Sequence, residues 1–161
     1  MKLLKYITIA TLAIGVFTTA AFAQSDKTTM PVFDAELAKK VGADENGMKS
    51  YVFCILKTGP KDAEIKDKKK RGEIFAGHMT NIKRLADEGK LVLAGPFGEN
   101  GRSYRGLFIF NVTTVEEAQK LVDTDPVISS GMMVAELTPW YGSAATMLVT
   151  ENHKKIAKKS F

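Results

Sequence analysis

Four apolar, β-forming runs alternate with two helix-like segments in the order strand, helix, strand, strand, helix, strand. No other feature of the chain constrains its fold as much. The runs are YVFCIL from Tyr51, KLVLAGPF from Lys90, YRGLFIFNV from Tyr104 and MMVAEL from Met132, with Pro139 closing the last. GENGR joins the second to the third and is too short for a crossover, so these two are antiparallel. Asn100-Gly101 supplies the residues tolerant of positive φ that a tight reversal needs. Two split βαβ halves with right-handed crossovers then predict an α+β, ferredoxin-like βαββαβ fold: a four-stranded antiparallel sheet with two helices on one face.

The helices are legible from period and punctuation. The first is expected from Ala63 or Ile65 to Glu88, with Ile74, His78 or Met79, Ile82 and Leu85 inward and Gly89 at its end. Gly72 and Gly77 each cost about 1 kcal/mol in a helix interior, so its first turns are expected to be loop. In TTVEEAQKLV, Thr113 to Glu116 and Thr114 to Glu117 both fit a capping box, and Val115, Ala118, Leu121 and Val122 form the inner stripe. DTDPVISSG then holds a short helical turn begun by Asp125, with Pro126 at its first position.

Both faces of the strands are apolar. Tyr51, Phe53 and Ile55 alternate with Val52, Cys54 and Leu56, and Leu107 and Ile109 with Phe108 and Phe110. One helix layer buries only one of these sets, so the other requires cover. A homodimer packed through the open sheet face supplies it economically; the lead-in, whose VFDAELAKKVG suits a turn or two of helix, is the alternative.

The ends read differently from this periodic part. MKLLKYITIATLAIGVFTTAAFA has two lysines, an apolar run and an Ala21-Phe22-Ala23 ending, the pattern of a signal peptide cleaved near Ala23. The run is too short for a stable membrane anchor. Removing the first 23 of 161 residues leaves 138, one domain's worth, and losing Lys2 and Lys5 lowers the formal charge from +5 to +3. The expected organisation is signal peptide 1–23, lead-in 24–48, domain 49–141 and basic extension 142–161, in which ATMLVT is expected as an edge strand or a crossing to a partner subunit. The expected location is periplasmic or secreted. KDKKKR lacks interleaved aromatics, so no nucleic-acid partner is expected. The lone Cys54 reads as a buried hydrophobe.

Candidate chemistry centres on His78, on the inner face of the first helix, and Asp125, in the joint before the last strand. If they meet over the sheet, Asp125 accepts one imidazole proton and leaves the other ring nitrogen as base or acid. Two plainer readings stay open: His78 as a satisfied core residue, and Asp125 as only a helix cap. Gly95 and Pro96 are expected to shape the strand end beside a pocket, and Ser129 and Ser130 to present hydroxyls there or to cap the turn locally. GPFGENG precedes a strand, not a helix, so no nucleotide cofactor is expected, and no residue spacing suggests a metal site.

HMTNIKRLADEGKLVLAGPF and YRGLFIFNVTTVEEAQKLVDTDPVISSGM together resemble the YCII-related, or YciI-like, family. His78 keeps step with Leu85, Gly89, Leu91, Gly95 and Pro96; Asp125 keeps step with Ala118, Pro126 and Gly131. The resemblance covers about Lys49 to Tyr141. It implies a dimeric α+β barrel with a histidine–aspartate pair in a pocket, among relatives that include muconolactone isomerase-like proteins and an enzyme that removes chloride from a chlorinated hydroxyhydroquinone. The expected function is cofactor-free acid–base chemistry, isomerisation or elimination, on a small carbonyl or hydroxyaromatic compound. A non-catalytic small-molecule binding module and a structural or interaction dimer are the alternatives.

Overall fold

The computed structural model describes residues 32–159, and from Asp34 onward they form one compact unit. The elements are α1 (Ala35–Val41), β1 (Met48–Thr58), α2 (Lys68–Asp87), β2 (Leu91–Pro96), β3 (Tyr104–Phe110), α3 (Val115–Val122), α4 (Pro126–Ser129), β4 (Met133–Ser143), a 3₁₀ turn (Ala144–Leu148) and α5 (Val149–Ile156). The strands form one antiparallel sheet in the order β2-β3-β1-β4.

Local chemistry sets the boundaries. Asp67, not the residues near Ala63, caps α2 by accepting from the backbone of Lys69 and Lys70, so the segment before it is loop; Gly72 and Gly77, expected to keep the first turns out of the helix, both lie within it. Gly89, at φ 68°, turns the chain out of α2 toward β2. Of the two capping-box frames, Thr114 with Glu117 is used. The loop after β2 differs from the sequence expectation: positive φ falls on Ser103, not on Asn100-Gly101. Asn100 instead organises that loop with its side chain, donating to the carbonyls of Gly98 and Tyr104 and accepting from the amides of Arg102 and Tyr104.

The main core lies between the sheet and the α2/α3 layer. Val52, Cys54, Leu56, Phe108 and Phe110 meet Leu85, Ala118, Val122 and Val127 there, all buried. The second face carries a smaller cluster of Tyr51, Val92 and Ile109, against which Phe53, Leu93, Leu107 and Met147 pack.

The expected dimeric α+β barrel is not what the chain forms. Among the described residues the sheet is open, with β2 and β4 as its edges, and closure would require those edges to meet. Several helices accompany the sheet, not two, and the chain's own 3₁₀ turn places Met147 on the face that a barrel would enclose.

Two further expectations about the C-terminal part are corrected. Pro139 does not end β4, which continues to Ser143; β4 is an edge strand, where proline's missing N–H leaves one side of the ladder unaffected. ATMLVT is not an edge strand. Its Ala, Met and Leu continue into a helix that Glu151 ties to Lys40 of α1 at 3.1 Å, and Lys154 to Asp87 of α2 at 3.3 Å. The proposed signal peptide lies outside the described residues, and the secretion and periplasm reading finds no support in the described structure. Among the described residues no helix is long and apolar enough to cross a membrane.

Candidate active site

His78 sits midway along α2 on the face turned to the sheet, and Asp125 occupies the N-cap of α4. His78 is four positions from Ile74 and four from Ile82 along α2, which places all three on one stripe. Close approach of the two elements depends on Gly77. A Cβ there would stand 2.8 Å from Cγ of Pro126, so the glycine that weakens the helix also lets α4 lie against it.

The pair is formed. Nδ1 of His78 lies 2.8 Å from Oδ2 and 3.0 Å from Oδ1 of Asp125, and the two residues are 8% and 1% exposed. A carboxylate only accepts, so Nδ1 carries the proton and donates it, which fixes the tautomer and frees Nε2 as an acceptor. Asp125 Oδ1 also accepts from the amide of Val127 at 3.1 Å, so the residue caps α4 while it holds the imidazole. Phe108 and Phe75 pack about the ring at centroid distances of 6.0 and 6.2 Å, Phe75 edge-on. Among the described residues no fully buried side-chain nitrogen or oxygen lacks a partner. Among the described residues the hydrogen bonds of His78 are all made through Nδ1, so Nε2 is not fully sealed from solvent.

Cys54 lies beneath this pair on β1, fully buried. Burial, and secondly the charge of Asp125, push its thiol up to about 12 from 9.0. The native thiol is therefore expected to resist thiol reagents at pH 8 and to react fully once the chain is unfolded; reaction of the folded protein at the unfolded rate would contradict the packing. Linkage has a definite sign here. The stability contribution is complete below about pH 9, where the unfolded thiol is still protonated, and falls as pH rises toward 12.

A cleft of about 600 Å³ opens where β1 ends and β4 begins, bordered by Phe75, Phe97, Tyr104, Arg105, Met132 and Met133. Phe75 belongs both to this cleft and to the surroundings of His78. A second cavity of about 420 Å³, between α2, β2 and α5, is mainly aliphatic, and neither His78 nor Asp125 lines it or the first cleft, to which Phe75 is the link.

The other sequence candidates have local structural partners. Gly95 and Pro96 pair with Leu107 and Gly106 at the end of β2 and lead into Phe97, which borders the cleft. The hydroxyl of Ser129 donates to the carbonyl of Pro126, and that of Ser130 to the carbonyl of Val127, so both serve the turn. Among the described residues no group of three His, Cys, Asp or Glu side chains could hold a metal ion.

Sequence reasoning missed a polar lock beside the pair. Buried Asn81 accepts from Arg84 at 2.7 Å and from Thr124 at 3.0 Å, and Arg84 also donates to Thr124 at 3.0 Å, tying α2 to the residue before Asp125. The only signal was the spacing of three from His78 to Asn81, too weak to separate from an outer helix face.

The fold and this geometry define an α+β domain with an open antiparallel sheet and a buried histidine–aspartate pair between helix layer and sheet. Residues 51–141 match the YCII-related domain, and the chain belongs to that family. A protein of Bacillus subtilis (strain 168), uncharacterized protein YjpA, is 29% identical over 68 residues, covering 42% of this chain and 76% of that protein. Among solved structures, the 5-chloro-2-hydroxyhydroquinone dehydrochlorinase of Burkholderia phenoliruptrix AC1100, in complex with 2,5-dihydroxybenzoquinone, is similar with a TM-score of 0.41 and 18% identity, covering 55% of this chain and 92% of that one. At that degree of likeness nothing of the enzyme's chemistry transfers to this chain.

Proposed function

We propose that this YCII-family protein is a cofactor-free acid–base catalyst acting on a small carbonyl or hydroxyaromatic compound. The observation that supports the reading is the buried pair itself: an imidazole fixed through Nδ1 by a carboxylate, with Nε2 left as an acceptor and Phe75 joining the ring to an aromatic-walled cleft. In this reading Nε2 of His78 takes a proton from carbon or oxygen and returns it at another atom, as an isomerisation or elimination requires. Asp125 holds the tautomer and stabilises the imidazolium that forms in between. Phe75 and Phe108 shield the ring from water, which strengthens the charge interactions made around it. The test is proton–deuterium exchange at activated C–H bonds of a panel of enolisable ketones and hydroxyaromatics in D₂O, followed by proton NMR. Acceleration over buffer by the wild-type chain supports catalysis; binding without any acceleration identifies a binding module and overturns it.

The protein is further proposed to work as a homodimer through the part of the second sheet face that its own C-terminal segment leaves uncovered. Phe53, Ile55, Leu93 and Leu107 remain only half buried there. Light scattering is expected to give twice the monomer mass, and Ile55→Glu to give the monomer, since a charge at a dry interface costs more than the contact supplies. A monomeric wild type at micromolar concentration would sink the dimer.

A further inference from the structure

We infer that the cleft lined by Phe75, the ring neighbour of His78, binds a small planar monoanion, a carboxylate in the first instance, and that Arg105 is the residue that holds its charge. The inference rests on the acid–base reading only for the chemistry that a bound ligand would undergo.

Two guanidiniums converge on one carboxylate at this end of the sheet. Arg71 donates to Asp62 Oδ1 at 2.7 Å and also to the carbonyls of Asp62 and Ile65, so it is spent on fixing the loop before α2. Arg105 reaches Asp62 Oδ2 only at 3.6 Å, while its Nε donates to Thr58 Oγ1 at 2.8 Å. Asp62 makes its close contact with Arg71 at 2.7 Å, so Arg105 keeps only the longer 3.6 Å ion pair.

The Arg105 side chain is thus oriented by Thr58 through Nε, with Nη2 in the 3.6 Å contact with Asp62, and among the described residues neither terminal amino group is committed to a hydrogen bond. Its side chain is 49% exposed and borders the cleft. A planar fork anchored through Nε suits bidentate recognition of a carboxylate, because little orientational freedom remains to be lost on binding. The remaining walls, Phe75, Phe97, Tyr104, Met132 and Met133, are aromatic and thioether surface, which favours a flat ring or conjugated system. Glu99 borders the same cleft from the loop after β2, which limits the ligand to a single negative charge. Phe75, in ring contact with His78, is the step between the anchored end of such a ligand and the imidazole.

The probe is benzoate, with neutral benzamide as its isostere, titrated by calorimetry or protein NMR into the full chain and its Arg105→Met and Arg105→Lys variants at fixed ionic strength. Benzoate is expected to bind the wild type, to weaken about 10- to 100-fold in Arg105→Met and to be partly rescued in Arg105→Lys, while benzamide is indifferent to either change. Unchanged benzoate affinity in a folded Arg105→Met, equal loss of benzamide binding, or no benzoate binding at all would overturn the inference. Should Arg105→Met unfold, Arg105→Lys and the benzamide comparison decide alone, since indifference of benzoate to Arg105→Lys then removes the fork. Affinity that depends on Arg105 with no exchange activity leaves the anchor standing and removes the acid–base reading; exchange without Arg105 dependence does the reverse.

Discussion

Replacing His78 with glutamine is expected to abolish exchange activity while leaving the fold nearly as stable as before. General acid–base catalysis by a positioned side chain contributes about 10²- to 10⁴-fold, and an amide supplies no proton acceptor near neutral pH, so that whole factor is forfeited. Stability responds differently. The glutamine amide still donates toward Asp125, so the buried carboxylate is not stranded, and a loss of about 1 kcal/mol or less is expected. His78→Ala separates the effects from the other side. It leaves Asp125, only 1% exposed, without its imidazole partner and is expected to cost about 1–3 kcal/mol more than the glutamine variant. Thermal unfolding alongside the exchange rate distinguishes the two roles: a histidine that served only as core would show its loss in melting temperature and none in rate.

The position of this pair was legible in the sequence for a physical reason. A spacing of four from Ile74 and to Ile82 turns His78 inward, and Asp-Pro before an apolar residue favours a capped helical turn; that the two meet was implied only by the family resemblance, because their separation depends on how α2 and α4 pack. The strand pattern was legible on the same grounds, since apolar runs of that length bounded by glycine and proline leave few pairings. The features that escaped depend on long-range contacts. Pro139 reads as a strand end until β4 is known to be an edge. ATMLVT carries enough β-branched character to pass for a strand until its ion pairs to α1 and α2 are seen. A barrel is implied by the family resemblance, and apolar residues on both strand faces agree with it. That pattern does not reveal that the chain's own Met147 covers part of the second face. Arg105 stood in an ordinary strand run; only its approach to Asp62, distant in sequence, marks it.

Asp125 tests the whole arrangement because three functions meet in one carboxylate. It fixes the imidazole, caps α4 through the amide of Val127, and adds its charge to the field that keeps Cys54 protonated. Asp125→Ala loses the cap, worth about 1 kcal/mol, and strands a buried imidazole N–H, worth about 1–3 kcal/mol. A total near 2–4 kcal/mol is expected, read by denaturant unfolding at constant slope. Asp125→Asn keeps an acceptor for Val127 and for the imidazole, so most of that stability should return. Its catalytic defect should not, because an amide no longer enforces the tautomer or stabilises the imidazolium. The exchange rate of the asparagine variant is therefore expected to fall about as far as that of His78→Gln, and combining the two should cost little more than either alone, as for groups that act as one unit. Multiplying losses in the double variant would show that the two residues act separately and that the bond between them only caps a helix.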